Sequence, residues 1–337
     1  CINALPTIHT KIELDICLGP ENEINAVISL SMDTGGKNWS NRVSGPDPWN
    51  VGCFVPGSTN CPENAGPDYD FAQSPMLIST YINGEDVEIV VTGQKSGDMY
   101  AHFAHNGTKL WSTNVGPGST LGGFEWGSAF DDTGIYGAIA NRDYKDWVLP
   151  NGTTACGGSV AKLGFNDGVI IWIHPDPHSI LGVEECEHQR EHIFGPSSSP
   201  PARKRNAPGH AEGPLAYTEG PITIVNNLVW VGSMTGILYA RDSQTGDVVQ
   251  EYDTGGSVNA APSFWGPYAI SLSGYTRFGL GPGNDRVFIF RLPESAKSKE
   301  PIENVVFLIA IVVVVVTGVA ILGISVFLYR PKRVRVY

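Results

Sequence analysis

Short apolar runs recur along residues 24–293, each followed by a glycine and, four residues later, by Trp or Gln. Residues 26–30 precede Gly35 and Trp39, and residues 99–101 precede Gly107 and Trp111. Residues 160–163 precede Gly168 and Trp172, and residues 237–240 precede Gly246 and Gln250. The glycines lie 72, 61 and 78 residues apart. A hairpin turn that needs positive φ accounts for the glycine. A Trp on the outgoing strand, stacked on the neighbouring unit, accounts for the aromatic. Two more strands per unit lie between these hairpins: 75–80 with 88–92, 126–130 with 135–140, 221–225 with 228–231, and 262–265 with 268–272. Residues 287–290 repeat the third strand once more. Four antiparallel strands repeated radially predict an all-β propeller, with three full and two partial blades in this chain. Either a short ring closes, or further blades lie upstream or on another chain, because open strand edges are poorly tolerated.

One stretch follows a different pattern. Residues 305–329 are 25 consecutive positions without a charge, including five valines at 312–316. As a helix they reach ~37 Å, more than the ~30 Å hydrocarbon core, and predict one C-terminal transmembrane α-helix. Arg330, Lys332, Arg333 and Arg335 follow it, and no acidic residue follows Glu303. Retention of positive charge then places the tail, 330–337, in the cytoplasm and the N-terminal ectodomain outside, at the cell surface or another membrane. The predicted organisation is an N-terminal segment 1–23, propeller blades 24–293 with an insert at 175–214, a linker 294–304, the membrane helix and the tail. Composition agrees: Gly and Pro reach about 19% of the 337 residues, against a usual ~12%. The net charge of −12 argues against nucleic acid as a partner.

The six cysteines, Cys1, Cys17, Cys53, Cys61, Cys156 and Cys186, form an even set with no CxxC spacing. In an oxidising compartment they make three bridges. Fifteen pairings are possible; joining sequence neighbours gives Cys1–Cys17, Cys53–Cys61 and Cys156–Cys186. Asn38, Asn106 and Asn151 stand in glycosylation sequons. Starting at Cys1 without Met, the chain reads as a mature or truncated product.

Several stretches resemble the pyrroloquinoline-quinone (PQQ) propeller repeat, in particular the polyvinyl-alcohol-dehydrogenase-like branch of the quinoproteins. They are DPWNVGC at 47–53, NCPENAGPDYDF at 60–71, GQKSG at 93–97, LGGFEWGSA at 121–129, GSMTG at 232–236 and DTGGSVN at 253–259. The resemblance covers about residues 24–292 and is to the C-terminal part of such proteins. It implies PQQ at the propeller axis over a Trp, a divalent cation held by carboxylate and amide oxygens, and hydride transfer from an alcohol to the quinone. Oxygen donors suit Ca²⁺. The implied positions are Glu125 and Asn259 for the metal, Trp126 for stacking and Lys95 for the cofactor's charge. The chain departs from the pattern in lacking an adjacent Cys pair and a CxxCH haem site.

The insert carries His188-Gln189-Arg190-Glu191-His192, an HxxEH spacing that in inverted zinc proteases binds zinc, here set among Pro and Gly as in a loop. Arg203-Lys204-Arg205 reads as a flexible basic tract, either a site for a dibasic-specific protease or simply an exposed loop. The functional expectation is a membrane-anchored extracytoplasmic propeller that binds, adheres or assembles without catalysis. Its partners would be the membrane and a protein or second chain that completes the ring. The alternative is a PQQ- and Ca²⁺-dependent alcohol dehydrogenase. No catalytic residue is assigned.

Overall fold

The computed structural model describes residues 19, 21–55, 57–179, 186–187, 216–276, 281–291 and 335–336. Strands β1 (Ala26–Leu30) and β2 (Lys37–Arg42) form a two-stranded antiparallel sheet, the outer half of a first blade. The second blade is β3 (Met76–Ile82), β4 (Glu85–Gly93), β5 (Asp98–Phe103) and β6 (Lys109–Asn114), in sequential order. The third takes β7 (Ala129–Asp131) and β8 (Gly134–Ile139), then β11 (Ser159–Leu163) and β12 (Ile170–Pro175). A small hairpin, β9 (Trp147–Val148) and β10 (Thr154–Ala155), interrupts this blade; the repeat pattern did not predict it. The fourth is β13 (Thr223–Val225), β14 (Leu228–Gly232), β15 (Ile237–Asp242) and β16 (Val248–Asp253). The fifth has β17 (Ser263–Trp265), β18 (Tyr268–Ser273) and β19 (Arg286–Arg291), with a two-residue strand, β20 (Arg335–Val336), parallel to β19. Among the described residues, three full blades and two partial ones thus stand where the repeat placed them.

Pairs of blades bury apolar sheet faces against each other. Ile89, Val91 and Met99 of the second blade pack with Ile135, Ile139 and Leu163 of the third. Tyr136 and Val160 then meet Val229 and Tyr239, while Trp230 and Leu238 meet Ala269 and Phe288. Middle strands such as β8 and β11 are buried at every position, as expected of strands covered on both faces.

The repeated glycine and Trp lock these blades together. Gly35, Gly107, Gly168 and Gly246 all have positive φ, between 66° and 78°. Trp39, Trp111 and Trp172 reach across to the next blade, where their indoles cover Gly107, Gly168 and Gly246 so closely that no Cβ fits. Each Nε1–H donates to the carbonyl three residues before that glycine: Ala104 at 2.8 Å, Phe165 at 2.7 Å and Ser243 at 3.3 Å.

Cys53–Cys61 and Cys156–Cys186 are disulfides, two of the three neighbour pairings. Cys1 and Cys17 lie outside the described residues, as do the HxxEH spacing, the basic tract and the segment 305–329. Among the described residues no helix is long and apolar enough to cross a membrane. Asn38, Asn106 and Asn151 are exposed.

Candidate functional site

The connections that run from the outer strand of one blade to the inner strand of the next place the site. Glu125, Glu219 and Asn259 each stand four residues before the first strand of their blade, which starts at Ala129, Thr223 and Ser263. They are the same position of the repeat in three successive blades, and radial repetition brings such positions together. Glu219 and Asn259 are neighbours: a Cβ on Gly220 would sit 3.3 Å from the Asn259 Cα.

The loop carrying Glu125 is built onto the turn between β4 and β5. Gly123 N–H donates to Lys95 O at 2.8 Å and Phe124 N–H to Gln94 O at 3.1 Å. Gly123 packs so tightly on Lys95 and Gly97 backbone that a side chain there is excluded. Trp126 follows, 48% exposed as a residue, and its Nε1–H donates to Glu219 Oε1 at 3.2 Å.

Two buried carboxyls face each other here. Burial, reinforced by the charge of Glu219, pushes Glu125 up to about 8. Burial also raises Glu219, against the opposing bond from Trp126. Near neutral pH the pair therefore holds a proton. Glu125 and Glu219 share a hydrogen bond between their carboxyls, while Asn259 Oδ1 is buried without a hydrogen-bond partner. A buried acceptor left unpaired is costly, and an oxygen set of this kind suits a hard divalent cation. Among the described residues, no group of three or more His, Cys, Asp or Glu is placed to hold a metal.

Lys95 lies beside this pair but faces elsewhere. Its Nζ is 2.9 Å from Asp68 and 3.2 Å from Asp70, and its N–H donates to Asp70 O at 3.0 Å. Burial alone would lower the amine; the two carboxylates outweigh it and hold it above the usual lysine range. Burial pushes Asp68 up to about 6, despite Lys95. Lys95 thus ties the loop of residues 44–72 to the site instead of presenting a bare charge. On the far wall Arg142 lies 5.9 Å over the Tyr217 ring, and its charge acts on Glu219.

Of the residues predicted from sequence, Lys95, Glu125 and Trp126 lie around the carboxyl pair, and the backbone of Asn259 lies beside Gly220. Glu219, Asp68, Asp70, Tyr217 and Arg142 were missed. Glu219 was recoverable, since it occupies the repeat position of Glu125; the others sit in irregular loops that carry no periodic signal.

No family model matches the sequence. The chain is 31% identical over 231 residues to a polyvinylalcohol dehydrogenase of Pseudomonas sp, covering 68% of this chain and 30% of that protein. It is 26% identical over 241 residues to the polyvinylalcohol dehydrogenase of Sphingopyxis sp. (strain 113P3), covering 70% and 31%. It therefore spans about a third of the length of the curated relatives it matches. Among solved structures, the quinohemoprotein alcohol dehydrogenase from Comamonas testosteroni aligns with a TM-score of 0.45 at 15% identity, covering 83% of this chain and 45% of that one. The sequence likeness and the blades together make this chain a partial PQQ-type β-propeller, similar to the polyvinylalcohol dehydrogenases.

Proposed function

We propose that this chain contributes the substrate face of a PQQ-dependent dehydrogenase that oxidises alcohols. The observation that carries the reading is the buried Glu125–Glu219 pair beside the half-exposed Trp126, with Asn259 at the same repeat position of the next blade and its backbone beside Gly220. The donor set fits the group. Glu125 and Asn259 would hold the cation, and Trp126 offers a flat face for a planar cofactor. PQQ, when bound, supplies a quinone that accepts a hydride.

The chain's own residues handle orientation and the proton. Trp126 fixes Glu219 through Oε1, and with the pair's proton on Glu125 the Glu219 carboxylate would accept the hydroxyl proton of a substrate. A carboxyl whose pKa burial raises toward the working pH is suited to that transfer. Lys95, held by Asp68 and Asp70, keeps the loop of residues 44–72 against the site.

A second reading, a propeller that binds or assembles without catalysis, is favoured by the pairing of Lys95, which leaves it no charge to offer a cofactor carboxylate. Adding PQQ and Ca²⁺ to the full chain decides between them. The dehydrogenase reading expects quinone absorbance in the protein fraction and dye-linked oxidation of alcohols, both lost in Glu125→Gln. Neither appearing, with the fold intact, favours the second reading.

We also infer that residues 305–329 anchor the chain in a membrane with the propeller outside. That arrangement requires the β19–β20 pair to open, because Arg335 and Val336 would lie across the bilayer. Protease protection of the C-terminus in sealed vesicles tests it.

A further inference from the structure

The far wall of the site holds a cation that the dehydrogenase chemistry leaves unused. Arg142 stands in the connection between β8 and β9, half-buried, with its guanidinium 5.9 Å over the ring of Tyr217. Its Nε is buried without a hydrogen-bond partner. The neighbouring cations are taken: Lys95 by Asp68 and Asp70, and Lys145 by Asp143 at 3.2 Å. Among the described residues, no carboxylate pairs with Arg142. A guanidinium cannot shed its proton, and a partly desolvated one left unpaired is costly.

The turn that presents it is strained. Asn141 and Tyr144 have φ of +47° and +52°, a conformation that a bulky residue such as Tyr avoids. The Asn141 side chain closes the turn, accepting from Lys145 N–H at 3.0 Å and donating to Lys145 O at 2.8 Å and Gly157 O at 3.2 Å. Tyr144 meets Tyr217 edge-on, with ring centroids 6.3 Å apart, and so steadies the ring on which Arg142 lies. Strain of this kind persists where the surroundings over-determine it, as at ligand clamps.

Tyr217 stands two residues before Glu219, and the charge of Arg142 acts on that carboxyl. A carboxylate matches the guanidinium fork. Glu125 and Glu219, sharing one proton, still carry a negative charge, so a doubly charged phosphate would be repelled more than a singly charged carboxylate. We propose that Arg142 receives the carboxylate of a hydroxy acid whose hydroxyl lies at Glu219, so that acidic alcohols are the preferred substrates. The placement of the hydroxyl rests on the dehydrogenase reading; that of the carboxylate rests on Arg142.

Titration calorimetry of the full chain with gluconate, and with sorbitol as its uncharged counterpart, tests this, first without PQQ and then with PQQ and excess Ca²⁺. Gluconate should bind about tenfold or more tighter than sorbitol in wild type. That preference should fall about tenfold or more in Arg142→Gln, and by less in Arg142→Lys, which keeps the charge but not the fork. Circular dichroism checks each variant; should Arg142→Gln fail to fold, the wild-type preference and Arg142→Lys decide. Equal affinities in wild type overturn the proposal, as does a preference that survives in Arg142→Gln. Displacement of gluconate by PQQ also overturns it, because the cation would then serve the cofactor's own carboxylates. In the dye-linked assay, equal oxidation of sorbitol and gluconate sinks the hydroxy-acid preference and leaves the dehydrogenase standing. Arg142-dependent binding of gluconate without any oxidation sinks the dehydrogenase and leaves the carboxylate site in place.

Discussion

Replacing the blade-turn glycines with alanine separates two costs that are superposed in the native repeat. Gly35 and Gly168 occupy the same turn position with nearly the same φ, +69° and +66°. A Cβ at Gly35 meets nothing within 4 Å, whereas one at Gly168 runs into the indole of Trp111 and the hydroxyl of Thr113. Gly35→Ala therefore carries only the conformational penalty of a left-handed alanine, about 1 kcal/mol. Gly168→Ala adds overpacking of about 1–3 kcal/mol, for a total of about 2–4 kcal/mol. Trp111 is 7% exposed and bonded through Nε1, so Trp111→Ala alone should cost about 3–5 kcal/mol. In the double variant the clash with the indole disappears and only the Thr113 hydroxyl remains, so Gly168→Ala should cost less there than in the presence of Trp111. Urea unfolding of the four chains, read by tryptophan fluorescence and far-ultraviolet circular dichroism, gives the cycle. Equal losses for Gly35→Ala and Gly168→Ala would refute the inter-blade lock and reduce the glycine to a turn residue.

His102 is fully buried with both ring nitrogens unpartnered, and burial, aided by the charge of Lys109, pushes it down to about 4. The unfolded chain binds that proton first, so its effect on stability is absent above about pH 6.5 and grows to about 3 kcal/mol lost as pH falls through 4. Urea titrations of wild type and His102→Leu at pH 7 and 4.5 should show a larger acid loss in wild type; parallel losses would contradict the assignment. Glu125 has the opposite sign: its raised carboxyl favours the fold while protonated and costs stability as pH rises through about 8. With a chelator present, Glu125→Gln should flatten the decline between about pH 5 and 8, measured by the same unfolding assay. Lys95→Met leaves Asp68 and Asp70 facing each other without their cation, so limited proteolysis should cut the loop of residues 44–72 sooner than in wild type, and an unchanged rate would count against its role as a tether.

The blades were legible because what builds them is local. A strand, a glycine and a Trp four residues later recur whatever lies between, and the physical demand at each turn, positive φ beneath an indole, is the same every time. Gln250 is the exception. It holds the Trp position in the fourth blade, yet the fifth contributes no described turn glycine for it to cover, so the signal fades where the packing partner changes. The β9–β10 hairpin escaped for the opposite reason: two-residue strands have too few positions to show alternation.

The site was half legible, and the half that was missed follows from how a propeller makes a centre. No single segment contains it; the same loop position of successive blades does. Reading each stretch from its own surroundings found Glu125 and Asn259, whereas reading them as one repeat position leads to Glu219 as well. Glu219 was hidden because an insert of some forty residues, 175–214, stands just before it and breaks the spacing from which the period was read. The disulfide Cys156–Cys186 fastens the start of that insert into the cluster that holds Tyr144 and Tyr217, and Gly158 N–H meets Ala216 O where the chain returns. The excursion is thereby pinched at its base, and the repeat resumes at Glu219 with its spatial period intact although its sequence period is lost. Periodicity in space, not in sequence, therefore selects the residues that can share a ligand.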